Sequence, residues 1–298
     1  MKVSGSTTER SKVGDIEVAR TSYGPFERLE MWVPTPSGPS HLSTYRVGDA
    51  LIDGGGSMAA PALIDMLRND PPRRILCTHQ HEDHVGGIEA VRQALGPLPV
   101  HIERRYIPHV EGFDRIPHFR AIYFGHPRPV KDAIGFEVGS ARFELEHEGK
   151  AVTLETVETP GHTPYHVTYL AHWEGRVYAL TGDLYTQREP NPAWHETSVP
   201  CLVRSCRRLA EYGDALFMLP THGKVRPDGA AVLSELADWA EREAEKVHAA
   251  AARVGSDDHT EIGREAFGDG DAQLRVVTEG QYCHANFVRS VLDPVLEL

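Results

Sequence analysis

The segment THQHEDHVGG, Thr78 to Gly87, packs three histidines and two carboxylates into six consecutive residues, His79 to His84. Imidazole nitrogen and carboxylate oxygen are the ligands of borderline divalent metals such as zinc. In an extended segment, side chains two apart point the same way, so His79 and His81 can hold one ion together. Asp83 and His84 fall at the start of the next element, point elsewhere and can hold a second ion. Three later stretches end on the same residue types beside glycine or proline: TPGH at His162, TGD at Asp183 and PTHG at His222. A carboxylate has two oxygens, so Asp183 can bridge two ions. The set contains no thiolate, which points away from a closed structural zinc site and toward an open one that keeps a water. With 17 histidines in the chain, a chance HxH pair is unsurprising. The fuller HxHxDH, followed in order by three more strand-end ligands, is far harder to reach by coincidence.

Each ligand needs an element to deliver it. TYRVGDALIDGG (44–55) reads as a hairpin whose second strand stops at Asp53. PALIDMLRN (61–69) reads as a helix with proline in its first turn. RRILCT (73–78) is a buried strand running into the histidine cluster, and HVGGIEAVRQAL (84–95) is the helix leaving it. The second half repeats this grammar. A strand ends at His162, a hairpin (166–183) ends at Asp183, and a strand (214–223) ends at His222. A long amphipathic helix follows over 229–254, and a helical tail over about 260–298. Strands first and helices after, in each half, predict a layered α/β protein.

The 298 residues carry a net charge of −12, which argues against a general binder of nucleic acid or anionic membrane. The N-terminal stretch has no apolar run that could act as a signal peptide, and no stretch is long enough to cross a bilayer. The chain therefore reads as cytoplasmic, with Cys77, Cys201, Cys206 and Cys283 as free thiols. Against the acidic background, residues 103–132 hold six Arg/Lys and four Asp/Glu. That segment is either a lid favouring an anionic small-molecule substrate or an ordinary solvated loop. In the stretch after Asp183, Tyr185 and Arg188 are candidate substrate contacts; His166 is read chiefly as strand packing. In the tail, EGQYCHANFVRSVL (279–292) offers His284 and Arg289 as further candidates, on a segment that either caps the site or is a plain helix start.

HxHxDH (His79 to His84), PGH (His162), GD (Asp183) and THG (His222), preceded by LIDGG with Asp53, resemble the five motifs of the metallo-β-lactamase superfamily, in family order over about residues 30–225. The resemblance implies an αββα sandwich with metals at one edge of its two sheets. The corresponding division is a catalytic domain at 1–228 and a helical C-terminal extension at 229–298 packed on it. It implies that His79, His81 and His162 hold one metal, that Asp83, His84 and His222 hold another, and that Asp183 bridges them. Asp53 would support the site without binding metal. His81 stands where oxygen-reducing diiron relatives often carry Glu, which favours hydrolysis. Asp183 stands where antibiotic-destroying members commonly carry Cys. THxHxDHxGG and GHTP (161–164) are most similar to the glyoxalase II branch, although the tail does not match that branch's glutathione-binding region.

The expected protein is thus a dinuclear hydrolase. A metal-bridging hydroxide would attack a small ester, thioester or lactone carbonyl, and Asp83 would orient the nucleophile and take its proton. The two divalent ions would be zinc, with iron or manganese as alternatives. A phosphodiesterase, a mononuclear iron sulfur dioxygenase and a non-catalytic ligand-sensing member are the competing expectations. The acidic charge speaks against the first when nucleic acid is the substrate. The complete ligand set speaks against the other two. Oligomeric state is not encoded in any of these features.

Overall fold

The fold is that of a computed structural model, which describes residues 9–113, 116–187, 189 and 192–294. Eight strands form the first sheet in chain order: β1 (Glu9–Val13), β2 (Ile16–Tyr23), β3 (Phe26–Val33), β4 (Ser40–Val47), β5 (Ala50–Ile52), β6 (Arg74–Leu76), β7 (Val100–Glu103) and β8 (Ile134–Phe136). The helices joined to this sheet are α1 (Ala60–Leu67), α2 (Glu82–Val85), α3 (Ile88–Leu95), α4 (Ile107–Glu111) and α5 (His118–Phe124). Then come β9 (Arg142–His147), β10 (Lys150–Glu158), β11 (Val167–Trp173), β12 (Arg176–Gly182), β13 (Ala193–Trp194) and β14 (Leu216–Pro220). The second sheet runs β14-β12-β11-β10-β9. Helix α6 (Val199–Ala210) precedes β14. The chain then continues through α7 (Gly229–Val254), α8 (His259–Phe267), α9 (Ala272–Val277), β15 (Tyr282–Cys283) and α10 (His284–Leu292).

Period-two alternation along the strands decides what each sheet face meets. In β5 and β6, Leu51 and Ile75 pack toward Leu63 and Leu67 of α1 and Ile88 and Val91 of α3. Their neighbours Ile52 and Leu76 turn to the opposite face, where they meet Tyr169, Leu180 and Leu219 of the second sheet. In β12 and β14, Tyr178, Leu180, Phe217 and Leu219 point to that inter-sheet core, whereas Val177, Ala179, Leu216 and Met218 point outward. The outward set is covered by α6, α7 and α10, through Leu209, Leu233, Leu236 and Val288. Three apolar cores therefore separate four layers, and the αββα sandwich follows. No helix among the described residues is long and apolar enough to cross a membrane.

Two readings need correction at the element level. Residues 84–95 are not one helix: α2 and α3 are separated at Gly86–Gly87. A Cβ on Gly87 would lie 2.4 Å from the Gly54 carbonyl oxygen, so this turn packs directly against the backbone that follows β5. The tail is not wholly helical either, because β15 pairs antiparallel with β13, joining Ala193 to Cys283 and Trp194 to Tyr282. Hydrophobic periodicity cannot signal a two-residue strand whose partner is some ninety positions away.

The parallel pairs β5–β6 and β12–β14 send their carboxyl ends to a common edge. β10, antiparallel to the strand that is itself antiparallel to β12, ends there too.

Candidate metal centre

At that edge the chain gathers seven side chains into two groups. Ligand atoms of His79, His81 and His162 lie within 4.8 Å of one another, and so do those of Asp83, His84, Asp183 and His222. The loop after β6 supplies His79 and His81, and α2 supplies Asp83 and His84. The β10–β11 loop supplies His162, and the ends of β12 and β14 supply Asp183 and His222. Asp183 stands between the groups. Its Oδ2 is 3.5 Å from His162 Nε2 and 3.6 Å from His222 Nε2, and its Oδ1 is 3.3 Å from His84 Nε2.

The outer faces of these side chains are tied down. Asp53, held at φ +63°, accepts the Thr78 N–H and hydroxyl on its two carboxylate oxygens and accepts the His84 Nδ1–H at 2.8 Å. His222 Nδ1 donates to the His41 carbonyl at 2.9 Å. His81 Nε2 donates to Glu196 Oε2 at 2.6 Å. Because a carbonyl or carboxylate oxygen only accepts, each of these bonds fixes the ring proton outside and leaves the inner nitrogen a lone pair. His166, read as packing, does more: its Nε2 accepts the Asp183 backbone N–H at 3.2 Å. Gly182 (φ +48°) makes room for this, since a Cβ there would lie 2.7 Å from that nitrogen.

Electrostatics divide the two groups. Burial and the neighbouring imidazoles keep His79 and His162 uncharged, with His162 lowered to about 3. In the other group burial disfavours charge, but Asp183 and Asp83 draw protons strongly onto His84 and onto His222, which rises to about 9. Burial works against the charges of Asp83 and Asp183 as well, yet the same histidines hold both well below the usual carboxylate range. The pull on those protons is the pull a cation would meet there.

The donor set fits divalent ions. His79 Nε2, His84 Nε2 and Asp183 Oδ1 are buried and make no well-formed hydrogen bond among the described residues; His84 Nε2 and Asp183 Oδ1 stand 3.3 Å apart. Buried polar atoms left unpartnered are costly and uncommon in a native fold. His81 Nδ1 faces His162 Nε2 at 3.0 Å, where two lone pairs would repel unless a cation or a proton sits between them.

A cleft of about 240 Å³ opens over Asp83, Asp183 and His222 and is lined also by Arg120, Trp194 and Tyr282. A larger cavity of about 440 Å³ adjoins it, lined by Gln80, Glu82, Phe113 and Glu196; His81 and Arg120 border both. Arg120 comes from the 103–132 segment, so part of that segment does reach the site edge. It is nearly buried, pairs with Glu82, and lies 4.8 Å over the Trp194 ring.

The substrate-contact expectations fare differently. Tyr185 packs into the core between the second sheet and the C-terminal helices, because the turn after Asp183 directs it inward; Thr186 and Gln187 line the cleft instead. Arg188 lies outside the described residues. His284 turns away from the cleft, donating from Nδ1 to the Gly268 carbonyl, with its ring tilted 5.1 Å from that of Phe267. Arg289 donates to the His195 carbonyl. Tyr282 is the tail residue that lines the cleft. Glu196 went unnoticed in sequence, since a lone glutamate in a loop has no spacing to mark it.

Comparison with known proteins agrees with the four-layer fold. The Metallo-beta-lactamase superfamily model matches residues 43–222. A hydroxyacylglutathione hydrolase of Anaeromyxobacter dehalogenans (strain 2CP-C) is 31% identical over 221 residues, covering 68% of this chain and 70% of that protein. One of Methylobacillus flagellatus (strain ATCC 51484 / DSM 6875 / VKM B-1610 / KT) is 32% identical over 126 residues, 42% of this chain and 40% of its own. Among solved structures, a metallo-beta-lactamase family protein of Thermus thermophilus superposes with a TM-score of 0.60 at 20% identity, over 90% of this chain and 91% of that one. With the family model spanning more than half of its length and the four-layer sandwich beneath it, the chain belongs to the metallo-beta-lactamase superfamily.

Proposed function

We propose that the protein is a dinuclear metal-dependent hydrolase acting on the carbonyl of a small ester, thioester or lactone. The observation that carries the reading is the pair of converging ligand groups with three buried ligand atoms that make no well-formed hydrogen bond among the described residues. On this reading His79, His81 and His162 hold one ion, Asp83, His84 and His222 the other, and Asp183 serves both. Zinc suits this nitrogen and oxygen set, and iron or manganese are the alternatives. Two divalent cations bound there supply a water of lowered pKa and polarise an electrophilic carbonyl.

The remaining work belongs to the chain. Asp83 borders the cleft, with its Oδ2 3.0 Å from His222 Nε2. Its carboxylate is placed to accept a hydrogen bond from an attacking water, orient it and take its proton. Asp53 and the His41 carbonyl hold His84 and His222 in place. Trp194 and Tyr282 line the cleft, and Arg120 beside them can meet a polar or anionic end of the substrate. A small molecule fits the two adjoining cavities. The relatives' name makes a hydroxyacylglutathione the first thioester to offer. The helices from residue 229 onward are read as an extension sharing one body with the catalytic part.

The test is metal content per chain by elemental analysis, paired with turnover of a hydroxyacylglutathione, a lactone panel and phosphodiesters. Two metals per chain with carbonyl turnover is the expected result. One iron with oxygen uptake, turnover of phosphodiesters alone, or no metal would overturn it.

A further inference from the structure

We propose that Glu196 is the positioning residue for His81, and that the C-terminal tail holds Glu196 in place. The inference rests on the metal reading above. His81 has two ring nitrogens with different tasks. Nδ1 faces His162 Nε2 across the first ligand group, and Nε2 donates to Glu196 Oε2 at 2.6 Å. The second carboxylate oxygen is also engaged: Gln80 Nε2 donates to Glu196 Oε1 at 3.0 Å. A neutral imidazole carries one ring proton. Glu196 keeps that proton on Nε2, fixes the ring plane and leaves the Nδ1 lone pair for a cation.

The supports of His84 and His222 come from the first sheet, from Asp53 at the end of β5 and from the His41 carbonyl of β4. Glu196 comes from elsewhere, from the connection between β13 and α6. Four contacts fix that connection. Ala193 and Trp194 pair with Cys283 and Tyr282 of β15. His195 N–H donates to the Gln281 carbonyl at 2.9 Å. Arg289 of α10 donates to the His195 carbonyl. Ser198 N–H donates at 2.8 Å to the carbonyl of Gly161, the residue before His162. Three of the four contacts come from residues 281–289. The tail therefore reaches the first ligand group through one carboxylate, and Arg289 acts on that carboxylate's backbone.

The experiment is zinc binding by the full-length protein, stripped with chelator and titrated with zinc alone against a chromophoric competitor. The set comprises wild type, Glu196→Ala, Glu196→Gln, Arg289→Ala and Asp53→Asn. Glu196→Ala is expected to weaken one of the two sites about 10- to 100-fold and leave the other unchanged. Glu196→Gln should recover part of that loss, since its amide oxygen still accepts the His81 proton. Arg289→Ala should shift the same site by less, and Asp53→Asn should weaken the opposite one. In the cobalt-substituted protein, only one site's visible absorption should change in the Glu196 variants. If Glu196→Ala does not fold, the Gln and Arg289 variants carry the test. A lowered melting temperature with both zinc affinities and both cobalt signals as in wild type would make Glu196 a plain structural contact and overturn the proposal. A wild-type protein that binds no zinc, iron or manganese would instead overturn the metal reading itself.

Discussion

Asp53 shows how much one side chain can organise. It occupies left-handed backbone space, which aspartate tolerates better than most residues, and engages both oxygens with Thr78 and His84. Asp53→Asn keeps the shape but replaces one accepting oxygen with an amide NH2, a donor that faces donors. It should weaken metal binding at the Asp83–His84–Asp183–His222 group by about 10- to 100-fold, read by competition titration; unchanged affinity there would remove Asp53 from the site's support. Asp83→Ala deletes both a candidate ligand and the candidate proton acceptor. The expected outcome is one metal lost per chain and turnover abolished, and a variant keeping both would refute either role. The seven residues that converge at the sheet edge were legible in the sequence because their types recur at strand ends. Glu196 was not, since its significance depends on a contact with a residue 115 positions earlier. Tyr185 was misplaced because nearness to Asp183 along the chain says nothing about which way the next turn sends a side chain.

Between residue and fold lie the turns and helices that aim the ligands. The Gly86–Gly87 break lets α2 present Asp83 and His84 in one direction while α3 lies back on the first sheet. Gly87→Ala would push a methyl into the Gly54 carbonyl and should cost about 1–3 kcal/mol, as overpacking in a tight core does, measured by chemical denaturation. A neutral result would mean that the loop after β5 can move aside. The apolar pattern of 84–95 was visible, but glycine contacts across the fold leave no periodic signal. The pattern of α7 was unambiguous, and the helix spans the residues it predicted. Leu233 lies fully buried where α7 meets the second sheet, so Leu233→Ala should cost about 2–5 kcal/mol by the same measurement. A smaller loss would show that this side of the sandwich can collapse around the void.

At the scale of the whole molecule, the ligand groups lie on the seam between the two sheets. His79, His81, Asp83 and His84 follow strands of the first sheet; His162, Asp183 and His222 follow strands of the second. An ion held by both sets ties the sheets together in the folded state and finds no such arrangement in the unfolded chain. Whatever binds only the folded state stabilises it by mass action, by about 4 kcal/mol per site at a thousand times the dissociation constant. For a protein of this size, that moves the melting temperature on the order of 10 °C. Chelation should therefore lower the melting temperature by that order, and zinc should restore it, in a scanning calorimetry experiment. The C-terminal helices share an apolar core with β12 and β14, so their melting should coincide with that of the sheets in one transition. A separate early transition lost on deleting the tail would make residues 229–298 an independent unit. A melting temperature indifferent to both chelator and zinc would mean that no such ion spans the seam, and that its crowded imidazoles and carboxylates neutralise one another with protons alone.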